Sequence, residues 1–119
     1  MRAIIIDDEN HGLDHLQAVL AIVEPELNVV GKFRQPVEAI PAILQEEPDL
    51  VIMDLEMPYI TGLEMARLFS YSNAHFIIVS THEIDELPFE LDRTRTSILL
   101  KPFSSADLKN ILKGLIIKH

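Results

Sequence analysis

Four short apolar runs in this chain each end in side chains that could do chemistry. These side chains, in chain order, are Asp7 with Asp8, Asp54, Ser80 with Thr81, and Lys101. Continuous apolar runs of this length are typical of strands buried on both faces of a parallel sheet. Because the carboxyl ends of parallel strands meet at one edge, these groups can meet in one shallow cleft.

The three aspartates in this set favour a metal site. Carboxylates that lie close together repel and raise one another's pKa values. A hard divalent cation removes the conflict, and Mg²⁺ accepts few carboxylates while it keeps several waters. Asp7, Asp8 and Asp54 therefore predict a magnesium site. A fourth carboxylate is not needed, so Glu9 is expected to face solvent.

The same cleft could accept a phosphoryl group. Mg²⁺ and Lys101 would offset the charge of the incoming group, and Asp54 would attack phosphorus to form an acyl phosphate. Ser80 could then donate a hydrogen bond to a phosphoryl oxygen. Its neighbour Thr81 is the alternative for this role.

Composition limits the function classes open to the chain. Its 119 residues, 48% of them apolar, are enough for one domain with a proper core. Cysteine is absent, which excludes disulfides, thiolate nucleophiles and cysteine-bound zinc. The formal charge of -9 argues against direct binding of nucleic acid, which needs clustered Lys and Arg. The apolar runs are too short to span a bilayer and the N-terminus is no signal peptide, so a cytoplasmic location is expected.

Apolar spacing predicts five strands alternating with five helices. The strands are Arg2–Ile6, Leu27–Phe33, Leu50–Met53, Phe76–Val79 and Ser97–Leu100. The helices are His11–Val23, a second opening at Gln35 and Pro36, a third opening at Gly62, a weak fourth over Glu83–Leu91 interrupted by Pro88, and a last one after Ser104 or Ser105. Right-handed crossovers then give an α/β fold, with a parallel sheet covered by helices on both faces.

Individual side chains predict where the helices begin and which face they bury. Asn10 is expected to cap the first helix and Thr61 the third. Pro41 predicts a kink or a late start in the second helix. The inward stripe of that helix is expected to be Val37, Ile40 and Leu44.

With these elements in place, the whole chain resembles the receiver domain of bacterial two-component response regulators. The segments that carry the resemblance are Ile5–Glu9, Asp54–Gly62, Val79–Ser80 and Leu100–Phe103. The resemblance implies a three-layer, flavodoxin-like fold with strand order 2-1-3-4-5, and one receiver domain over residues 1–119. The stretches Ile4–Glu9 and Leu99–Phe103 look most like regulators whose output is a LytTR-type DNA-binding domain.

The resemblance also implies a role for each acidic residue. Asp54 stands where the family has its phosphoacceptor. Asp8 and Asp54 would bind Mg²⁺ through their side chains, and Asp7 through water. Glu56 would contribute its backbone carbonyl to the ion.

On the phosphate side, Ser80 stands at the family's Ser/Thr switch and Lys101 at its phosphate-pairing lysine. The Lys101–Pro102 bond is cis in the family. Ile98 departs from the pattern, because the family usually has an aromatic residue there that swings inward. Isoleucine has a smaller swing, which predicts an output face that works differently or a domain that is constitutively poised.

The implied function is that of a signalling partner rather than a turnover enzyme. Asp54 would take its phosphoryl group from a sensor histidine kinase, and self-phosphorylation and autodephosphorylation would be the only reactions. Phosphorylation would alter dimerisation or an output domain that is absent from this chain. DNA would be contacted only through that output domain, and no membrane is involved.

Several alternatives stay open at this point. A receiver-like module could act without phosphorylation, and a Mg²⁺-dependent phosphohydrolase could use Glu56 as a general acid, although no residues remain for a substrate cap. His82, near the cleft mouth, could act with Glu56 on the hydrolytic water or be simple surface. His11 and His15 have metal-ligand spacing but lack a third ligand, so exposed histidines are expected.

Overall fold

A computed structural model describes residues 1–81 and 94–118 of the chain. The strands in these residues are β1 (Arg2–Ile6), β2 (Asn28–Phe33), β3 (Leu50–Asp54), β4 (His75–Ser80) and β5 (Thr96–Leu100). The helices are α1 (Asn10–Val23), α2 (Pro36–Glu46), α3 (Gly62–Leu68) and α4 (Ser105–Lys118). The weak helix predicted over Glu83–Leu91 lies outside the described residues.

The five strands form one parallel sheet in the order β2-β1-β3-β4-β5, as the resemblance implied. All residues of β3 and β4 are buried, whereas the edge strands β2 and β5 are partly exposed. The continuous apolar runs thus mark the strands that helices cover on both faces. The α/β prediction is confirmed.

Two apolar cores lie on opposite sides of the sheet, because successive strand residues point to opposite faces. Ile4, Val51 and Ile78 pack on one side with α2 and α3. Ile5 and Ile52 pack on the other side with α1 and α4. The sheet is therefore the middle of three layers, and its strands are held firmly along their whole length.

Side chains fix the beginnings of two helices. The Thr61 hydroxyl accepts from the Glu64 N–H at 3.1 Å, and the Glu64 carboxylate accepts from the Thr61 N–H at 2.9 Å. Ser104 and Asp107 make the same reciprocal pair before α4. The cap predicted at Asn10 is wrong: Asn10 is the first helical residue, and Glu9 caps α1 without a side-chain hydrogen bond. None of the helices in the described part of the chain is long and apolar enough to cross a membrane.

The second helix corrects two further predictions. It begins at Pro36 and continues through Pro41 to Glu46, so a late start is wrong. Its buried residues are Pro36, Ala39 and Ile43. Of the predicted stripe, Ile40 is half-buried and packs against the core, while Val37 and Leu44 are each 56% exposed. Pro41 lies on the exposed face, where water can replace the hydrogen bond that proline removes.

Adjacent residues of α2 test this placement. Ile43 is 3% exposed and Leu44 is 56% exposed. We expect Ile43→Ala to lower the free energy of unfolding by about 2–4 kcal/mol, because it opens a cavity in the core. Leu44→Ala should change it by less than about 0.5 kcal/mol. Urea unfolding of both variants measures the difference, and equal losses would contradict the assigned face.

Candidate phosphoacceptor site

Backbone hydrogen bonds continue just beyond the ends of β3 and β5 and align these ends with β4 at one edge of the sheet. The Lys101 N–H donates to Ser80 O at 2.7 Å, and the Leu55 N–H donates to Val79 O at 2.8 Å. The residues that follow β3, β4 and β5 are therefore fixed relative to one another. The cleft predicted from the sequence lies at this edge.

Three aspartates gather in that cleft. Carboxylate oxygens of Asp7, Asp8 and Asp54 all lie within 4.8 Å of one another. Asp7 and Asp54 are each 8% exposed, Asp8 is half-buried, and Glu9 faces solvent as expected. Oxygen ligands of this kind, close together at the mouth of a cleft, suit a hard divalent cation such as Mg²⁺.

Helix α1 holds the Asp7 carboxylate from one side. The Glu9 N–H donates to Asp7 Oδ1 at 2.9 Å. A Cβ added to Gly12 would lie 1.9 Å from Asp7 Oδ2, so only glycine lets the helix approach this closely. Sequence reasoning missed Gly12. The available signal was a glycine inside a helix five residues after Asp7, since glycine is unfavourable in helix interiors.

Lys101 contacts Asp54 directly. Its Nζ lies 2.8 Å from Asp54 Oδ1, and the Lys101–Pro102 peptide bond is cis, as the resemblance implied. Burial raises the pKa of Asp54 to about 6, against an ordinary value of 3.8. The hydrogen bond and charge of Lys101 oppose this increase, while the charge of Asp7 adds to it. Lys101 thus offsets only part of the destabilisation that burial and Asp7 impose on the ionised form of Asp54.

The pKa of Lys101 is raised as well, although burial acts on it in the opposite direction. Burial alone would lower the pKa of Lys101, but its hydrogen bond to Asp54 and the charges of Asp54, Asp7 and Glu9 outweigh burial and raise that pKa. Lys101 therefore stays cationic at neutral pH. It places a fixed positive charge beside the carboxylate that would receive a phosphoryl group.

The hydroxyl candidates lie on the neighbouring strand end. Ser80 is 3% exposed at the end of β4, while Thr81 is exposed, and both line a cleft of 190 Å³ with Asp54 and Lys101. Glu56 is exposed at the same rim. Ser80 has the burial expected of a group that would meet a bound oxygen.

One further sequence candidate does not line the cleft. Ile98 is half-buried on β5, paired with Ile78, and packs against the core beside α2 and α3. His82 lies outside the described residues.

A separate requirement applies at Gly62, where an added Cβ would lie 2.7 Å from the backbone oxygen of Asp54, so glycine allows α3 to start against β3.

The pKa of Asp54 can be measured directly. We expect a midpoint near pH 6 for its carboxyl carbon in an NMR titration of metal-free protein. Lys101→Met should move that midpoint upward, because it removes the hydrogen bond and the cation that favour the ionised form. An unchanged midpoint in Lys101→Met would contradict the 2.8 Å contact.

The same pKa makes stability depend on pH. The folded state holds the Asp54 proton more tightly than the unfolded chain, so this stabilisation is present near pH 4 and is lost as the pH rises through about 6. Asp54→Asn has no such proton. We expect metal-free wild type to lose up to about 3 kcal/mol relative to Asp54→Asn between pH 4 and 7, as measured by urea unfolding. A pH-independent difference would contradict the raised pKa.

Gly12 gives a further test. We expect Gly12→Ala to weaken Mg²⁺ binding by about tenfold or more, because the new methyl group must displace Asp7. Gly114→Ala is the matched control, since an added Cβ there meets nothing within 4 Å. Calorimetric titration of each variant with Mg²⁺ measures the effect. Equal affinities in the two variants would show that Asp7 does not depend on this approach.

Comparisons with known proteins agree with this geometry. The family model described as the response regulator receiver domain matches residues 3–113. An uncharacterized response regulatory protein of Yersinia pestis is 33% identical over 125 residues, covering 100% of this chain and 51% of the relative. The transcriptional regulatory protein BtsR of Escherichia coli K12 is 29% identical over 116 residues, covering 97% of this chain and 48% of the relative. This chain thus spans about half the length of these curated relatives.

Among solved structures, the isolated receiver domain of RcsB from Salmonella enterica serovar Typhimurium, in the presence of phosphomimetic BeF₃⁻, aligns with a TM-score of 0.83 and 25% identity. The alignment covers 98% of this chain and 88% of that one. Together with the strand order, this places the fold in the flavodoxin-like class. The chain belongs to the response regulator receiver domain family of two-component signalling.

Proposed function

We propose that Asp54 is the phosphoacceptor and takes its phosphoryl group from the phosphohistidine of a sensor histidine kinase. One observation carries this proposal: Asp54 is 8% exposed at the end of β3, lies 2.8 Å from Lys101, and shares a pocket with Asp7 and Asp8. An isolated carboxylate at a strand end would be an ordinary turn residue.

In the proposed transfer, an Asp54 oxygen forms a bond to phosphorus as the bond from phosphorus to the histidine nitrogen breaks. The imidazole leaves and Asp54 becomes an acyl phosphate. The carboxylate must be ionised to attack, and a pKa of about 6 leaves most of it ionised at neutral pH. Lys101 lies where it would offset the charge of the transferring group. In autodephosphorylation, a water oxygen would form a bond to phosphorus as the bond from phosphorus to the Asp54 oxygen breaks, which releases inorganic phosphate and restores the carboxylate.

Mg²⁺ is the proposed cofactor, and it would supply positive charge to the phosphoryl oxygens. Asp8 and Asp54 would bind it through side chains, Asp7 through water, and Glu56 through its backbone carbonyl. The arrangement of the three carboxylates within 4.8 Å supports this assignment. For Glu56, the supporting observation is its position on the rim of the cleft.

The proposed response begins at Ser80, whose burial beside Asp54 suits a hydrogen bond to a phosphoryl oxygen. Thr81 is the alternative. Because Ile98 has a smaller swing than the aromatic residue usual in the family at this place on β5, we propose a modest shift in dimerisation or output. A LytTR-type output, DNA contact through that output alone, and a cytoplasmic location stay predictions. The roughly twofold length of the relatives and the name of BtsR support a transcriptional output.

Intact mass spectrometry tests the acceptor. We expect wild type to gain one phosphoryl group from acetyl phosphate with Mg²⁺, and to gain none after chelation. Asp54→Asn should gain none, because the attacking oxygen is gone. Asp14→Asn, the same change on the exposed side of α1, is the matched control and should behave as wild type.

Three results would contradict the assignment. Phosphorylation of Asp54→Asn would place the acceptor elsewhere. Wild type that gains no phosphoryl group from any small donor would favour an interaction module that works without phosphorylation. Release of phosphate from a generic phosphomonoester with turnover would instead favour a phosphohydrolase.

A further inference from the structure

Tyr59 has a backbone conformation that a residue with a side chain rarely adopts. Its φ is 75°, and the Ile60 N–H donates to Pro58 O at 2.9 Å, which closes a three-residue turn centred on Tyr59. Glu47 also has a positive φ, of 46°, but there it ends α2 with a bond to Ile43 O, an ordinary helix end. Tyr59 makes no such cap, and its turn is strained.

The strained turn presents its aromatic ring to solvent. Tyr59 is 94% exposed. No other large apolar or aromatic side chain in the described part of the chain is as exposed. The ring is therefore too exposed for its burial within this chain to offset the free-energy cost of the strained backbone. Strained backbone of this kind is often retained at sites that hold a ligand or partner.

The ring borders a crevice that no other part of the described chain fills. The crevice has a volume of 550 Å³ and lies between the turn at Tyr59 and the first turn of α2. Val37, which is 56% exposed, forms a second apolar part of its wall. Arg34 and Glu38 add one charge of each sign at its edge.

This crevice adjoins the acid cleft. Asp8 lines both of them, and Tyr59 follows Asp54 by five residues. Any protein that delivers a phosphoryl group to Asp54 must cover the cleft mouth, and its contact surface then reaches the crevice. The exposed carboxylates of Glu9 and Glu56 make the rim of the acid cleft acidic.

We propose that Tyr59 and Val37 form a docking site for the phosphodonor protein. The partner carries the phosphohistidine, inserts an apolar side chain into the crevice, and sets basic side chains against the acidic rim. The contact is made beside the reacting atoms and not on them, so it determines which donor binds rather than the chemistry of transfer. This inference rests on the proposed function of Asp54.

The variant Tyr59→Gly separates docking from chemistry, because glycine accepts the same φ without a ring. The phosphorylated cytoplasmic cores of the source organism's histidine kinases are each mixed with wild type, and the core with the highest kcat/KM is used. We expect Tyr59→Gly to lower kcat/KM for that core by about tenfold or more, through KM. Val37→Ser should act in the same direction.

Three measurements control this experiment. Phosphorylation by acetyl phosphate should stay within about twofold of wild type in Tyr59→Gly, since a small donor needs no docking surface. The melting temperature should not fall, because the strained turn is relieved. Tyr71→Ala, which removes a 71% exposed tyrosine between α3 and β4 at the opposite edge of the sheet, should leave kinase transfer unchanged.

The outcomes are distinct. Unchanged kcat/KM in Tyr59→Gly, or an equal loss in Tyr71→Ala, overturns the docking site and leaves the phosphoacceptor intact. Transfer from no kinase core to a wild type that accepts phosphoryl from acetyl phosphate also overturns it. Failure with acetyl phosphate as well overturns the proposed function itself.

Discussion

The charge on one buried carboxylate sets the conditions for the rest of the site. Burial and the nearby Asp7 disfavour ionised Asp54, while Lys101 at 2.8 Å favours it. One amine cannot neutralise a group of three carboxylates, so the pocket keeps an excess of negative charge. That excess makes a divalent cation favourable, and the cation in turn would make room for an anionic phosphoryl group.

The order of the strands brings these groups together. β3 lies between β1 and β4, so Asp54 has the acid pair on one side and Ser80 on the other. Lys101 begins one strand farther away, after β5, and its long side chain crosses the end of β4 to reach Asp54. The two cores on opposite faces of the sheet hold these strand ends in place. Groups distant in the chain can then meet at fixed distances.

The sequence was informative where one simple constraint acts. Strands covered on both faces must be apolar on both, so the end of β3 at Asp54 could be located from its continuous apolar run. The sequence was misleading where several apolar residues could face the sheet and packing determines which of them do. Val37 and Leu44 have the spacing of a buried stripe, yet Ala39 and Ile43 face the sheet.

Backbone features were the hardest to predict. The close approach at Gly12 depends on where α1 lies relative to Asp7, which no local pattern encodes. The positive φ of Tyr59 could not be predicted either, because tyrosine is an unfavourable residue for that conformation. Asn10 resembles a helix cap, but the chain turns one residue earlier, at Glu9. Each of these features lies beside the acid cleft, where local preference yields to the geometry of the site.

The central claim is that Asp7, Asp8, Asp54 and Lys101 act together as a pocket for a cation and a phosphoryl group. Fluorine NMR of the protein with beryllofluoride, an acyl-phosphate mimic, tests this most directly. We expect bound fluoride resonances that require Mg²⁺, and that disappear in Asp54→Asn and in Asp8→Asn. Bound resonances that persist without Mg²⁺ or in Asp8→Asn, or their absence from wild type, would contradict the claim.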